Sequence, residues 1–214
     1  MLHKEAGDAN LLDLIQKLQK LEVLSDFFLV GGTALSLQMG HRKSVDIDLF
    51  SQLPFEPEFT AGILEKEFGF QLQYSHRNTL KGTISGIFVD LITHPYSLIR
   101  PLVVVENIRM ASLEDIAAMK VNAISGNGTR LKDFIDIYFL FKTFSFEEII
   151  GFFSTKYNSR NEFHAIKSLT YFDDIDSTSW PEMILEPKLT LDQIKTSLIQ
   201  KRNFFINKSA NLGN

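Results

Sequence analysis

The sequence predicts an α+β protein, with a mixed β-sheet flanked by helices in its first half and a helical segment in its second. Three observations predict this. A strand–Gly-Gly–helix–strand unit occupies residues 27–50, three further strand-like segments follow between 70 and 93, and from Ser112 onward the apolar periodicity is helical. With 214 residues, 44% of them apolar and 19 of them Phe, the chain can build a substantial core, as one large domain or two small ones. The transition falls within 95–112, and the expected domains are 1–105 and 106–214.

Leu11, Leu14, Ile15, Leu18 and Leu21 recur at helical spacing and predict an amphipathic first helix. Phe27–Val30 reads as a buried strand, Thr33–Met39 as a helix and Ser44–Phe50 as a second strand. Pro54 and Pro57 mark a loop before a helix near Glu58–Phe68. Strands are expected at Phe70–Tyr74, Thr79–Ile84 and Ile87–Thr93, the last two joined by Ser85-Gly86. Leu102–Val105 follows two prolines as a short strand. In the helical half, Ser112 with Asp115, Ser145 with Glu148 and Thr190 with Gln193 read as N-cap pairs. The small, polar tail at 207–214 is expected to fray.

The chemistry concentrates at Asp46 and Asp48. Alternation with period 2 puts both carboxylates on one strand face, about 7 Å apart, with Val45, Ile47 and Leu49 turned to the core. Paired acids repel unless a cation lies between them, and oxygen-only ligands suit Mg²⁺ or Mn²⁺. Fourteen residues before Asp46, the pair Gly31-Gly32 opens a helix. Glycine has no Cβ, so backbone N–H groups at such a junction can face a phosphate closely. Arg42, in the loop before the acids, offers a guanidinium fork suited to phosphate oxygens, whereas His41 reads as structural or solvent-facing. Asp90 is one acid in the apolar run Ile87–Ile92, so it needs an exposed strand end or a cationic partner. Lys120 borders the apolar stripe of Ile116, Met119 and Ala123, where a lysine commonly snorkels. Asp133 and Asp136 share a helix face at i, i+3, with Arg130 positioned to pair with Asp133.

Gly31-Gly32-Thr33-Ala34-Leu35 followed by His41-Arg42-Lys43-Ser44-Val45-Asp46-Ile47-Asp48-Leu49-Phe50 resembles the AbiEii/AbiGii toxin nucleotidyltransferases. That group belongs to the DNA polymerase β-like superfamily and includes the MenT-like toxins. The resemblance covers about residues 25–143, and no named pattern matches beyond about 150. It implies a nucleotidyltransferase-type sheet, with Asp46, Asp48 and Asp90 as a metal-binding triad and Asp90 as general base. It implies nucleotide binding by Gly31, Gly32, Thr33, Arg42 and Lys120, with Lys120 on the phosphates, and a functional acid at Asp133 that orients Lys120 or the base. One departure is Gly32, where many superfamily members carry a serine whose hydroxyl contacts phosphate.

The implied reaction moves a nucleoside monophosphate from an NTP to an acceptor with release of pyrophosphate, using Mg²⁺ or Mn²⁺. The resemblance implies RNA as acceptor, such as a tRNA 3′ end, and a cognate antitoxin protein as partner. Two alternatives stand beside it: transfer to a protein hydroxyl, as in AMP-adding relatives, and a nucleotide-binding interaction module that no longer catalyses. A net charge of −4 argues against a generally basic surface, so an RNA contact must come from a local patch, with Arg42, Lys43, Arg77, Lys81, Arg100, Arg109, Arg130 and Lys132 as candidates. The chain has no Cys, hence no disulfide or thiolate site, and no ligand spacing among its His for zinc. No run approaches the roughly 18 to 20 apolar residues of a membrane span, and the start lacks the apolar stretch of a secretion signal, so a cytoplasmic protein is expected.

Overall fold

The computed structural model describes residues 2–158 and 162–212, with the side chains of 209–212 left aside. The chain divides into two compact units, Met1–Ser112 and Leu113–Asn214.

The first unit is built on a seven-stranded mixed sheet in the order β3-β4-β5-β2-β1-β7-β6. Its strands are β1 (Phe28–Leu29), β2 (Ile47–Ser51), β3 (Gln71–His76), β4 (Thr79–Ile84), β5 (Ile87–Thr93), β6 (Val103–Val105) and β7 (Ile108–Met110). Its α-helices are α1 (Ala9–Leu18), α2 (Gly31–Met39) and α3 (Pro57–Phe68). β2 runs parallel to β5 and antiparallel to β1, while β3, β4 and β5 form an antiparallel meander. Alternation sorts the two faces of the meander. Ile47, Leu49, Leu80, Val89 and Leu91 are fully buried, whereas Asp48 and Asp90 lie on the opposite, more open face. Ser85 and Gly86 both take positive φ, the geometry of a tight hairpin turn whose twist matches its strands.

β7 was not legible as a strand, because Ile108-Arg109-Met110 is too short to display a period. It pairs parallel with β1 and antiparallel with β6, carrying the sheet past residue 105 to the unit boundary after Ser112. Arg109, expected only as a surface cation, instead donates to the carbonyls of Gln19, Leu24 and Phe27 and ties this edge to the segment that follows the first helix. Val45 is a correction: β2 begins at Ile47, so alternation does not reach back to it, and Val45 is 62% exposed rather than turned to the core.

The second unit is helical: α4 (Leu113–Gly126), α5 (Leu131–Leu140), α6 (Phe146–Tyr157), α7 (Glu162–Ser168) and α8 (Leu191–Leu212). Its core gathers Ile116, Val121, Phe134, Ile137, Phe139 and Ile149. Ser145 and Glu148 form the reciprocal capping box that their spacing predicts, and the backbone N–H and hydroxyl of Ser145 hold the Glu148 carboxyl below its usual range. Thr190 and Gln193 exchange the same pair of bonds ahead of α8. Asp115, expected in a cap with Ser112, is fully buried and accepts a 2.7 Å hydrogen bond from the equally buried Lys156. The tail expected to fray from 207 is helical as far as Leu212, and residues 213 and 214 lie outside the described residues.

Candidate active site

The helix α2 begins at the glycines themselves. Gly31 takes φ +69°, a backbone conformation that costs a residue with Cβ, and a Cβ there would run into the Asp48 carboxylate. A Cβ on Gly32 would strike the Arg42 guanidinium, with Ser44 Oγ at 3.3 Å. The space a Cβ would need at Gly32 is therefore taken up by the Arg42 guanidinium. Val30, at the N-cap position, offers no side-chain cap to the first N–H groups of α2. Such an N-terminus favours an anion.

Thr33 is buried and holds the turn against the acidic segment. Its hydroxyl donates to the carbonyl of Asp46 and lies 2.9 Å from Ser44 Oγ. Thr33 therefore positions the turn from inside. Arg42 is only 2% exposed and donates to the carbonyl of Lys43 at 3.0 Å, so it backs the glycine turn instead of reaching outward. His41 is fully buried, the structural one of its two expected settings.

Asp48 and Asp90 are in-register partners on the parallel strands β2 and β5, side by side on one sheet face. Asp46 lies one residue before β2, half-buried like Asp48. Asp90 has the cationic partner its apolar strand demands: Lys81, its register partner on β4, ion-pairs with it. Sequence reasoning had Lys81 only as a rim cation, yet the signal was present. A hairpin centred on Ser85-Gly86 that pairs Ile84 with Ile87 necessarily pairs Lys81 with Asp90.

The donor chemistry and the register of these acids fit a hard divalent cation: carboxylate oxygens only, on adjacent strands, beside the start of a helix. The side chains are not drawn into one cluster, however. Among the described residues no three His, Asp or Glu groups converge as metal ligands, and Asp90 is engaged with Lys81.

In the second unit, Lys120 is 6% exposed and not snorkelling. Its ammonium lies 2.6 Å from Asp133 Oδ1 and 2.6 Å from Asp136 Oδ2, both acids essentially buried. Asp133 Oδ2 is buried without a hydrogen-bond partner, and Arg130 Nε approaches it only to 3.7 Å. The expected Asp133–Lys120 pairing is thus present, while Asp136 enters as a second anchor that sequence reasoning left unassigned. The i, i+3 spacing of the two acids was its signal.

The sheet, the glycine turn and the acids beside it define the nucleotidyltransferase fold. The same fold, and the fold alone, is shared with solved structures of low identity. A candidate nucleotidyltransferase from H. pylori matches with TM-score 0.56 and 17% identity, over 96% of this chain and 98% of that one. JHP933 from Helicobacter pylori gives 0.53 and 15%, covering 95% and 94%. The antibiotic-resistance factor ANT(2″)-Ia gives 0.52 and 16%, covering 74% and 94%. The family model "Nucleotidyl transferase AbiEii toxin, Type IV TA system" matches residues 13–74 and 70–203, and the chain belongs to that family. It is a nucleotidyltransferase. A relative from Aquifex aeolicus (strain VF5), named "Uncharacterized protein aq_aa25", is 31% identical over 185 residues, 81% of this chain and 84% of its own length. Among the described residues no helix is long and apolar enough to cross a membrane.

Proposed function

We propose that this chain transfers a nucleoside monophosphate from an NTP to an RNA 3′ end, such as that of a tRNA, as the toxin of a toxin–antitoxin pair. The observation that carries the reading is the in-register placement of Asp48 beside Asp90, with the Asp48 carboxylate lying over the Gly31 turn. Asp46 and Asp48 would hold Mg²⁺ or Mn²⁺ with Asp90 as the third acid, an ion that neutralises phosphate charge and acidifies the acceptor hydroxyl. The backbone N–H groups that open α2 would receive the triphosphate, and Gly31 and Gly32 keep that approach free of side chains. Arg42 supports the turn from behind and adds positive potential to it. Asp90, released from Lys81, would accept the acceptor hydroxyl proton. Lys120 and the Asp133 it pairs with would take part in transfer, as the resemblance of their helices to the family's later motifs implies.

The test incubates the protein with each labelled NTP, Mg²⁺ or Mn²⁺, and total RNA or total protein. Label appearing on RNA, and lost in Asp46→Asn and Asp48→Asn, supports the reading. Label on protein alone moves the acceptor to a protein hydroxyl, and no label on either leaves a binding module.

A further inference from the structure

We propose that the open face of the β3–β4–β5 meander is a stacking platform for a single-stranded acceptor. This rests on the transferase reading above. The register places Asp48, Asp90, Lys81 and Tyr74 in one row across β2, β5, β4 and β3. Neighbouring strands lie about 4.8 Å apart, so Tyr74 stands about 10 Å from Asp90 along that row, within the reach of one nucleotide. His76 is two residues on, its ring stacked with that of Tyr74 at 6.5 Å and 23°. Phe88, two residues before Asp90 on β5, completes the face on the side of Asp46. Tyr74 is 51% exposed and Phe88 53%, large rings offered to solvent on the face that carries the acids.

Two features favour an unpaired nucleic-acid strand. First, Gln71–Ile84 contains Arg77, Lys81 and His76 and no Asp or Glu, in a chain with 26 acidic residues and net charge −4. This hairpin carries no acid of its own and two cations, Arg77 and Lys81, the second paired with Asp90, so it locally relieves the net negative charge that would oppose an RNA contact. Second, the rings are separated by Thr79, Lys81 and Thr83 instead of fusing into one apolar patch. A protein partner would want a continuous apolar centre, whereas bases want isolated π faces with polar groups between them. The platform runs directly into the row of carboxylates, so a strand lying on it would bring its end to Asp48 and Asp90.

The experiment measures binding of a fluorescently labelled, unpaired oligoribonucleotide by anisotropy, without NTP or metal, so that it does not depend on transfer. Tyr74→Ala and Phe88→Ala should each weaken binding by roughly five- to a hundredfold, and Tyr74→Trp should retain it. Arg77→Ala should lower the log–log salt slope by about 0.7, the share of one phosphate contact on a single strand. Both rings are half exposed, so melting curves should match the wild type. In Tyr74→Trp combined with Trp180→Phe, RNA should also quench the remaining tryptophan. Equal affinity for a duplex of the same sequence, unchanged affinity in folded Tyr74→Ala and Phe88→Ala, or no quenching would each overturn the platform. If the wild type transfers label to RNA while these variants bind and transfer normally, the platform fails and the transferase reading stands. If RNA binds in a Tyr74-dependent way but receives no label, the platform stands and the reading of transfer falls.

Discussion

Replacing Lys120 with Met removes the cation that two buried carboxylates share. Asp133 and Asp136 are 2% and 0% exposed and each lies 2.6 Å from the ammonium, so neither can turn to water without opening α5. The folded variant must then hold two facing anions with no ammonium between them. Loss of one partner from a buried ion pair typically costs about 3–5 kcal/mol. For a chain of this length that is a fall in Tm of about 6–20 °C. Lys156→Met is the matched comparison: it removes the ammonium that ion-pairs with the equally buried Asp115, and should destabilise by a similar amount. The two variants separate stability from chemistry. Assayed well below both melting temperatures, Lys120→Met should lose transfer to labelled acceptor while Lys156→Met keeps it. A Lys120→Met protein that melts like the wild type would refute the buried triad, and equal activity in the two variants would refute its part in transfer.

Asp46→Asn and Asp48→Asn should each abolish transfer, with stability unchanged or raised because neighbouring carboxylates no longer repel; full activity in both would remove the central claim. Gly32→Ala should lower NTP affinity in calorimetry by displacing the Arg42 guanidinium that packs on the turn, and unchanged affinity in the folded variant would move the phosphate site elsewhere. Ser145→Ala should destabilise the helical unit by about 1 kcal/mol. The Ser145 backbone N–H, which alanine keeps, and its hydroxyl together hold the Glu148 carboxyl below its usual range, so the stability the hydroxyl adds through that carboxylate is present above that range and lost as pH falls through the lowered value. The Tm difference between wild type and Ser145→Ala should therefore narrow in acid, and a constant difference would count against the hydroxyl–carboxylate half of the cap.

The elements that could be read from the sequence were those with a period or a punctuating residue. Thr79–Ile84 and Ile87–Thr93 have the expected bounds because a tight Ser85-Gly86 turn fixes both ends at once. The unit boundary was harder, since β7 is three residues long and owes its existence to β1 and β6 on either side. Residue types alone marked Asp46, Asp48 and Gly31-Gly32, because few other arrangements put acids and a bare turn so close in the chain. What they could not mark was the counter-charge. Lys81 meets Asp90, and Asp136 joins Asp133 on Lys120, through pairings set by register and helix packing.

Those counter-charges alter what Arg42 and Lys120 are. Read as sequence, Arg42 was a guanidinium suited to phosphate, and Lys120 a snorkelling lysine that the family resemblance set on the phosphates. In the fold Arg42 fills the space above Gly32, and Lys120 is clamped by two carboxylates. A buried, fully engaged cation makes a poor mobile phosphate hook, because every hydrogen bond it gives a ligand must be taken from a carboxylate already desolvated. It makes a good fixed potential, since a preorganised charge in a dry site needs no reorganisation when charge develops in the transition state. The consequence separates the two roles. Lys120→Arg keeps the charge but not the compact ammonium that fits between two carboxylates 2.6 Å away, so it should fail nearly as badly as Met. A hook needs only charge and reach, and for a hook arginine would serve. Near-wild-type kcat in a well-folded Lys120→Arg protein would therefore return Lys120 to a mobile contact, and a loss with intact fold would mark the clamped ammonium as the functional form.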